Sequence, residues 1–117
     1  MSCVNSFLYK LKLIDGGLFE LSQMTKDQFL SMLVLRGYPE PILVEQEAGG
    51  FLDAHTHPFE VKALVVSGQI DLVVDGVRTI YVSGDVFHLS ANQVHTERYG
   101  SNGVQYLASR KDGSEGN

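Results

Sequence analysis

The chain has 117 residues, the size of one domain with a single hydrophobic core. Its net charge is −5 and its nine Lys and Arg residues are scattered, which argues against nucleic acid as a partner. The single cysteine, Cys3, excludes an intrachain disulfide, and with no apolar run longer than four residues and no signal-peptide core in Met1–Gly17, a cytoplasmic protein without a membrane partner is expected.

In chain order, Phe7–Leu13 has the composition of an outlying strand. Thr25–Arg36 is the one clear helix signal. Thr25 is its N-cap, Gln28 the capping-box partner and Gly37 the stop, while Phe29, Met32 and Leu33 share one side. Such a helix is expected to pack across an opening or an outer face of the strands C-terminal to it. From Ile42 onward, short strands alternate with turns. Ile42–Glu47, Val61–Val66, Ile70–Val74, Val77–Val82, Val86–Leu89 and Val104–Ser109 are predicted strands, with Asp75-Gly76 as a tight hairpin turn. Short strands without a second helix predict an all-β sandwich or barrel. The division expected is one domain: an N-terminal strand and helix extension over 1–41, a barrel over 42–110, and a disordered tail over 111–117.

The chemistry concentrates in two stretches. In the first, His55 and His57 stand two apart, so in a strand they point to the same face. Two imidazoles aimed at one spot fill an apolar core badly, since each carries two nitrogens that need partners, but they hold a transition metal well. A hydrogen-bonded pair without an ion is the alternative. In the second stretch a strand, a turn and a new strand lead to His95. By alternation Glu97 and Tyr99 share the face of His95. His88 points opposite to Phe87 and Leu89 and is expected to be no ligand. Asp85 suits a turn that caps backbone amides, and Phe51, Phe59, Phe87 and Tyr106 suit core or cavity lining.

Together these stretches resemble the two signature motifs of the cupin family, over about Gly49 to Tyr99. The first family motif reads Gly, five residues, His-x-His, three or four residues, Glu, six residues, Gly; here Gly49, His55, His57 and Gly68 hold those places. The second reads Gly, five residues, Pro-x-Gly, two residues, His, three residues, Asn; Gly84 and His95 fit, while Ser90, Asn92 and Tyr99 stand for Pro, Gly and Asn. The resemblance implies a double-stranded β-helix, or jelly roll, with His55, His57 and His95 as metal ligands inside it. It also exposes a departure. Val61 occupies the place of the family's glutamate ligand, and only a bulge near Pro58 would turn the adjacent Glu60 inward. The expected site is therefore three histidines, with Glu97 available as ligand, orienting group or acid/base.

The function this implies is a small metal-dependent, dioxygenase-like oxidoreductase acting on a small molecule. Its cofactor would be a divalent Fe, Ni, Zn, Mn or Cu ion, with Glu97 and Tyr99 as catalytic candidates beside the substrate. A non-catalytic binding or sensor module and a sugar isomerase or epimerase stay open, since a fold does not determine a function. The outward positions Leu64, Val66, Ile80 and Val82 form an apolar face, from which a homodimer is expected.

Overall fold

Where the strands bend, and which of them run on unbroken, decides how this sheet closes. The structure is a computed structural model that describes residues 23–112. Cys3, the expected Phe7–Leu13 strand and residues 113–117 of the expected tail lie outside the described residues.

Helix α1 spans Lys26–Leu35. The Thr25 hydroxyl accepts the Gln28 N–H at 3.1 Å and the Thr25 N–H donates to the Gln28 side chain at 2.9 Å, so two N-terminal amides are satisfied reciprocally. Gly37, at φ +75°, ends the helix as expected. Phe29 and Leu33 are buried against Leu64, with Met32, Val66, Val86 and Leu107 around them. The helix thus lies on the outer face of the barrel. It covers Leu64 and Val66, half of the apolar face from which a homodimer is expected; Ile80 and Val82 stay 48% and 41% exposed.

Six strands complete the chain: β1 (Ile42–Gln46), β2 (Phe51–His55), β3 (Phe59–Val74), β4 (Val77–Val82), β5 (Val86–Leu89) and β6 (His95–Asp112). Two of them are longer than expected. Val61–Val66 and Ile70–Val74 are one strand, β3, and Val104–Ser109 is the later part of β6. That strand continues through Lys111 and Asp112, for which the sequence predicts a disordered tail. Pairing with Glu60 and Phe59 orders both residues.

All pairing is antiparallel. The first half of β3 pairs with the second half of β6, flanked by β5 and β1; the second half of β3 pairs with the first half of β6, flanked by β4 and β2. Strands β3 and β6 therefore belong to two facing sheets each, the arrangement of a double-stranded β-helix. They cross from one to the other where the register slips, between Val65 and Ile70. Gly68 (φ +78°) and Gly103 (φ +75°) form this corner. The Asp75-Gly76 hairpin has both residues at positive φ, 53° and 78°, as a type I′ turn requires. Inward-facing Val61, Ala63 and Val65 of β3 meet Phe87, Leu89, Val104, Tyr106 and Ala108 in one core.

Candidate metal centre

His55 reaches the interior through an irregularity that local alternation hides. In β2, Leu52 faces Glu97 and His55 faces His95, so three steps on β2 match two on β6. The extra residue is a β-bulge. It gives Leu52 and His55, an odd number apart, the same inward side. His57 lies just beyond the strand, and its carbonyl accepts the Asn92 N–H at 2.7 Å. Asn92 stands at a glycine place of the second motif and adopts φ +62°, a conformation that asparagine tolerates better than most residues. The turn before His95 is thereby tied to the backbone of His57, and the two motifs converge.

The three imidazoles form one cluster, with ring centroids 4.2 to 5.1 Å apart. Two are oriented by the backbone. His55 Nδ1 lies 2.6 Å from the Asp53 carbonyl, and His95 Nδ1 lies 3.0 Å from that of Gln93. A carbonyl can only accept, so each Nδ1 carries a proton, and in the neutral ring that ligates a metal each Nε2 then presents a lone pair. Both Nε2 atoms lie close to one carboxylate oxygen. Glu97 Oε2 is 3.3 Å from His55 Nε2 and 3.2 Å from His95 Nε2. The His55 contact has the distance of an ion pair but not the alignment of a hydrogen bond, and His55 Nε2 is buried without a hydrogen-bond partner. With neutral rings these are acceptors around an acceptor, an arrangement that a proton or a metal cation among them relieves. That orphaned nitrogen is the observation by which the residues fit a metal ion.

Ligand atoms of His55, His57, His95 and Glu97 all lie within 4.8 Å of one another, a group positioned to bind a metal ion. Burial, and after it the neighbouring His95 and His55 rings, holds His57 below its ordinary pKa, which keeps its imidazole in the neutral form that ligates. The Tyr99 hydroxyl donates to the other oxygen of Glu97 at 2.8 Å. Burial and that carboxylate push the Tyr99 phenol well above its ordinary value, so it stays protonated. Tyr99 thus touches the group through Glu97.

A cavity of about 160 Å³ adjoins the group, reached by His57 and Glu97 and walled by Phe59, Val61, Phe87 and Tyr106 among others. Val61 does face inward, where it cannot ligate. Glu60 points the other way. Its Oε2 accepts the Tyr38 hydroxyl and lies 2.9 Å from His88 Nε2, so both Glu60 and His88 stand apart from the metal group. Phe51 departs from its expected place in the core: it is 51% exposed beneath Arg98. Asp85 accepts the Val82 N–H at 2.9 Å, the turn role expected of it. Two polar wall residues, Gln46 and Arg110, were not expected from the sequence. Alternation from Tyr106 and Ala108 points to Arg110, but the predicted strand stops one residue short of it.

The outer cluster carries its own test. The Tyr38 and His88 hydrogen bonds hold the Glu60 carboxyl below its ordinary value of 4.5. A depressed carboxylate contributes stability that is present above its unfolded pKa and lost as pH falls through its folded one. Thermal melts of Glu60→Gln and wild type are expected to differ most at neutral pH and to converge as the pH falls well below the ordinary value of 4.5. A difference that does not change with pH would show that Glu60 acts through packing alone.

The family model of the cupin domain matches residues 42–104. No curated protein sequence matches the chain. Among solved structures, the cupin domain of Cnp3 from Schizosaccharomyces pombe is similar at 15% identity and TM-score 0.55, over 63% of this chain and 57% of that one. The DMSP lyase DddQ from Ruegeria pomeroyi is similar at 20% identity and TM-score 0.56, over 62% of this chain and 38% of that one. KdgF from Halomonas sp. is similar at 17% identity and TM-score 0.52, over 62% of this chain and 71% of that one. The aligned part therefore spans less than two thirds of the first two proteins. At such identities the likeness concerns the fold. No helix among the described residues is long and apolar enough to cross a membrane.

Proposed function

The chain belongs to the cupin family, and from that premise we propose that it is a small metal-dependent enzyme acting on a small molecule, most simply a dioxygenase-like oxidoreductase. The observation that carries this reading is the buried, unpartnered His55 Nε2 facing the same carboxylate oxygen as His95 Nε2, beside a cavity. His55, His57, His95 and Glu97 would hold the ion. A divalent ion bound there supplies a Lewis acid, and iron supplies one-electron chemistry as well.

The chain's own groups do the rest. The Asp53 and Gln93 carbonyls fix the tautomers of two ligands, and Tyr99 steadies Glu97 from its second oxygen. The apolar walls limit water beside the group and admit only a small ligand. A second reading, a non-redox lyase or isomerase, is favoured by the carboxylate in the ligand group, which suits proton transfer at a Lewis-acid centre; one protein of similar fold is a DMSP lyase.

The test is oxygen uptake by protein loaded with Fe(II) without air and then mixed with small thiols and diketones. Uptake above the metal-free background, absent in His57→Ala, supports the oxygenase. Iron-loaded protein that consumes no oxygen with any of them sinks it. Turnover by the zinc-loaded form would then favour the second reading, and ligand binding without turnover a binding module.

A further inference from the structure

We propose that the ligand of this cavity is a small carboxylate, whose anionic end is held by Arg110 while its other end faces the metal group; this rests on the metal reading above. Arg110, an exposed residue near the end of β6, borders the cavity in the row of Tyr106 and Ala108 and pairs in register with Val61. Its guanidinium lies over the Phe59 ring, 5.2 Å from the centroid. The same ring is stacked on His57 at 4.9 Å with planes 3° apart. Phe59 therefore fixes both the cation and a metal ligand, and sets them on one cavity wall.

Among the described residues Arg110 makes no ion pair, whereas buried Asp71 binds Arg78 through two hydrogen bonds. A guanidinium carries five donors in a planar fork that matches a carboxylate. Apart from His57, Arg110 is the one basic side chain on a wall that is otherwise mostly apolar. The Glu97 carboxylate also reaches this cavity, so it is Arg110 together with the bound metal that would draw an anion in against the chain's net charge of −5. A neutral ligand of the same shape would forgo the charge-assisted hydrogen bonds that the guanidinium can donate. The ligand class that uses the guanidinium and the metal group together is a short carboxylate with an oxygen at its far end for the metal.

The experiment is calorimetry on zinc-loaded protein with hydroxycarboxylates from glycolate to 4-hydroxybutyrate, each against its neutral amide, and metal content read in the same samples. At least one acid is expected to bind about tenfold or more tightly than its amide, the usual scale of a charge-assisted pair. Arg110→Gln is expected to erase that preference with zinc content unchanged, and Arg110→Lys to keep part of it. Equal binding of every acid and amide, binding of none, or a preference that survives Arg110→Gln overturns the proposal; the last outcome would mean that the metal alone holds the carboxylate. Wild type that takes up no zinc sinks the metal reading instead, and an Arg110-dependent preference for acids in that metal-free protein would leave the anion site standing.

Discussion

His57→Ala is expected to remove the metal: protein purified without a histidine tag should fall from near-stoichiometric metal content to background. Of the three imidazoles, His57 is the informative one to truncate. His95 is 1% exposed, so its loss would leave a hole in the barrel and confuse folding with binding. His57 is only half-buried and lies between strands, so alanine there should leave the fold intact. Loss of one of four donors should weaken affinity by more than the 10- to 100-fold typical of a group that merely orients a ligand. Tyr99→Phe supplies that comparison. It deletes the hydrogen bond to Glu97 Oε1 and should retain metal with affinity lowered about tenfold. Mass-spectrometric metal analysis and competition with a chelator measure both. A His57→Ala protein that binds as tightly as wild type would rule His57 out as a ligand, and equal losses in the two variants would void the distinction drawn between ligand and positioning residue.

Gly68→Ala is expected to open the corner of the barrel. A Cβ there would stand 2.1 Å from the Gly103 carbonyl oxygen and 2.8 Å from Val104 Cα, both backbone atoms that no rotamer change can move. The positive φ of 78° adds strain of its own. Backbone strain of about 1–3 kcal/mol and overpacking of about 1–3 kcal/mol combine to a loss on the order of 4 kcal/mol. In a domain of this size that lowers the melting temperature by about 20 °C. Gly76→Ala is the control: it has the same φ of 78° in the Asp75-Gly76 hairpin, but a Cβ there meets nothing within 4 Å. It should cost about 1 kcal/mol, from backbone conformation alone. Calorimetric melts of both variants decide the matter, and equal destabilisation would remove the steric account of the corner.

Gly68 also illustrates how the fold became readable. The glycine is visible as a turn signal between two apolar runs, and in the first motif it holds its place. What a turn signal cannot say is whether the chain reverses there or bends and continues. The register answers that. Val65 pairs with Tyr106 and Ile70 with Tyr99, so β3 keeps β6 as its partner on both sides of the slip. The same holds for Lys111, whose polar, terminal setting suggests disorder until its pairing with Glu60 is known.

By itself the sequence determined the elements whose cause is local: the Thr25–Gln28 capping box, the Asp75-Gly76 turn, the alternation that turns Glu60 away and Val61 inward, and the two-residue spacing that keeps His55 and His57 together. Each depends on residues within a few positions of one another, where propensity and side-chain period act directly. Tertiary structure alone decided the rest. The bulge in β2 exists because β2 pairs with β6 in a slipped register, which inverts the facing of Leu52 relative to His55. Glu97, which alternation already puts on the face of His95, meets His55 because that pairing sets His55 opposite His95, and Tyr99 stays protonated because the closed barrel buries it against Glu97. Arg110 meets Phe59 and the cavity because β6 runs on alongside β3 to Asp112. These are hydrogen-bond registers between strands distant in sequence, and a one-residue slip reverses every side chain beyond it. The His55–His57 pair is therefore written locally, while strand pairing brings His95 to it and sets the groups that complete and orient the site.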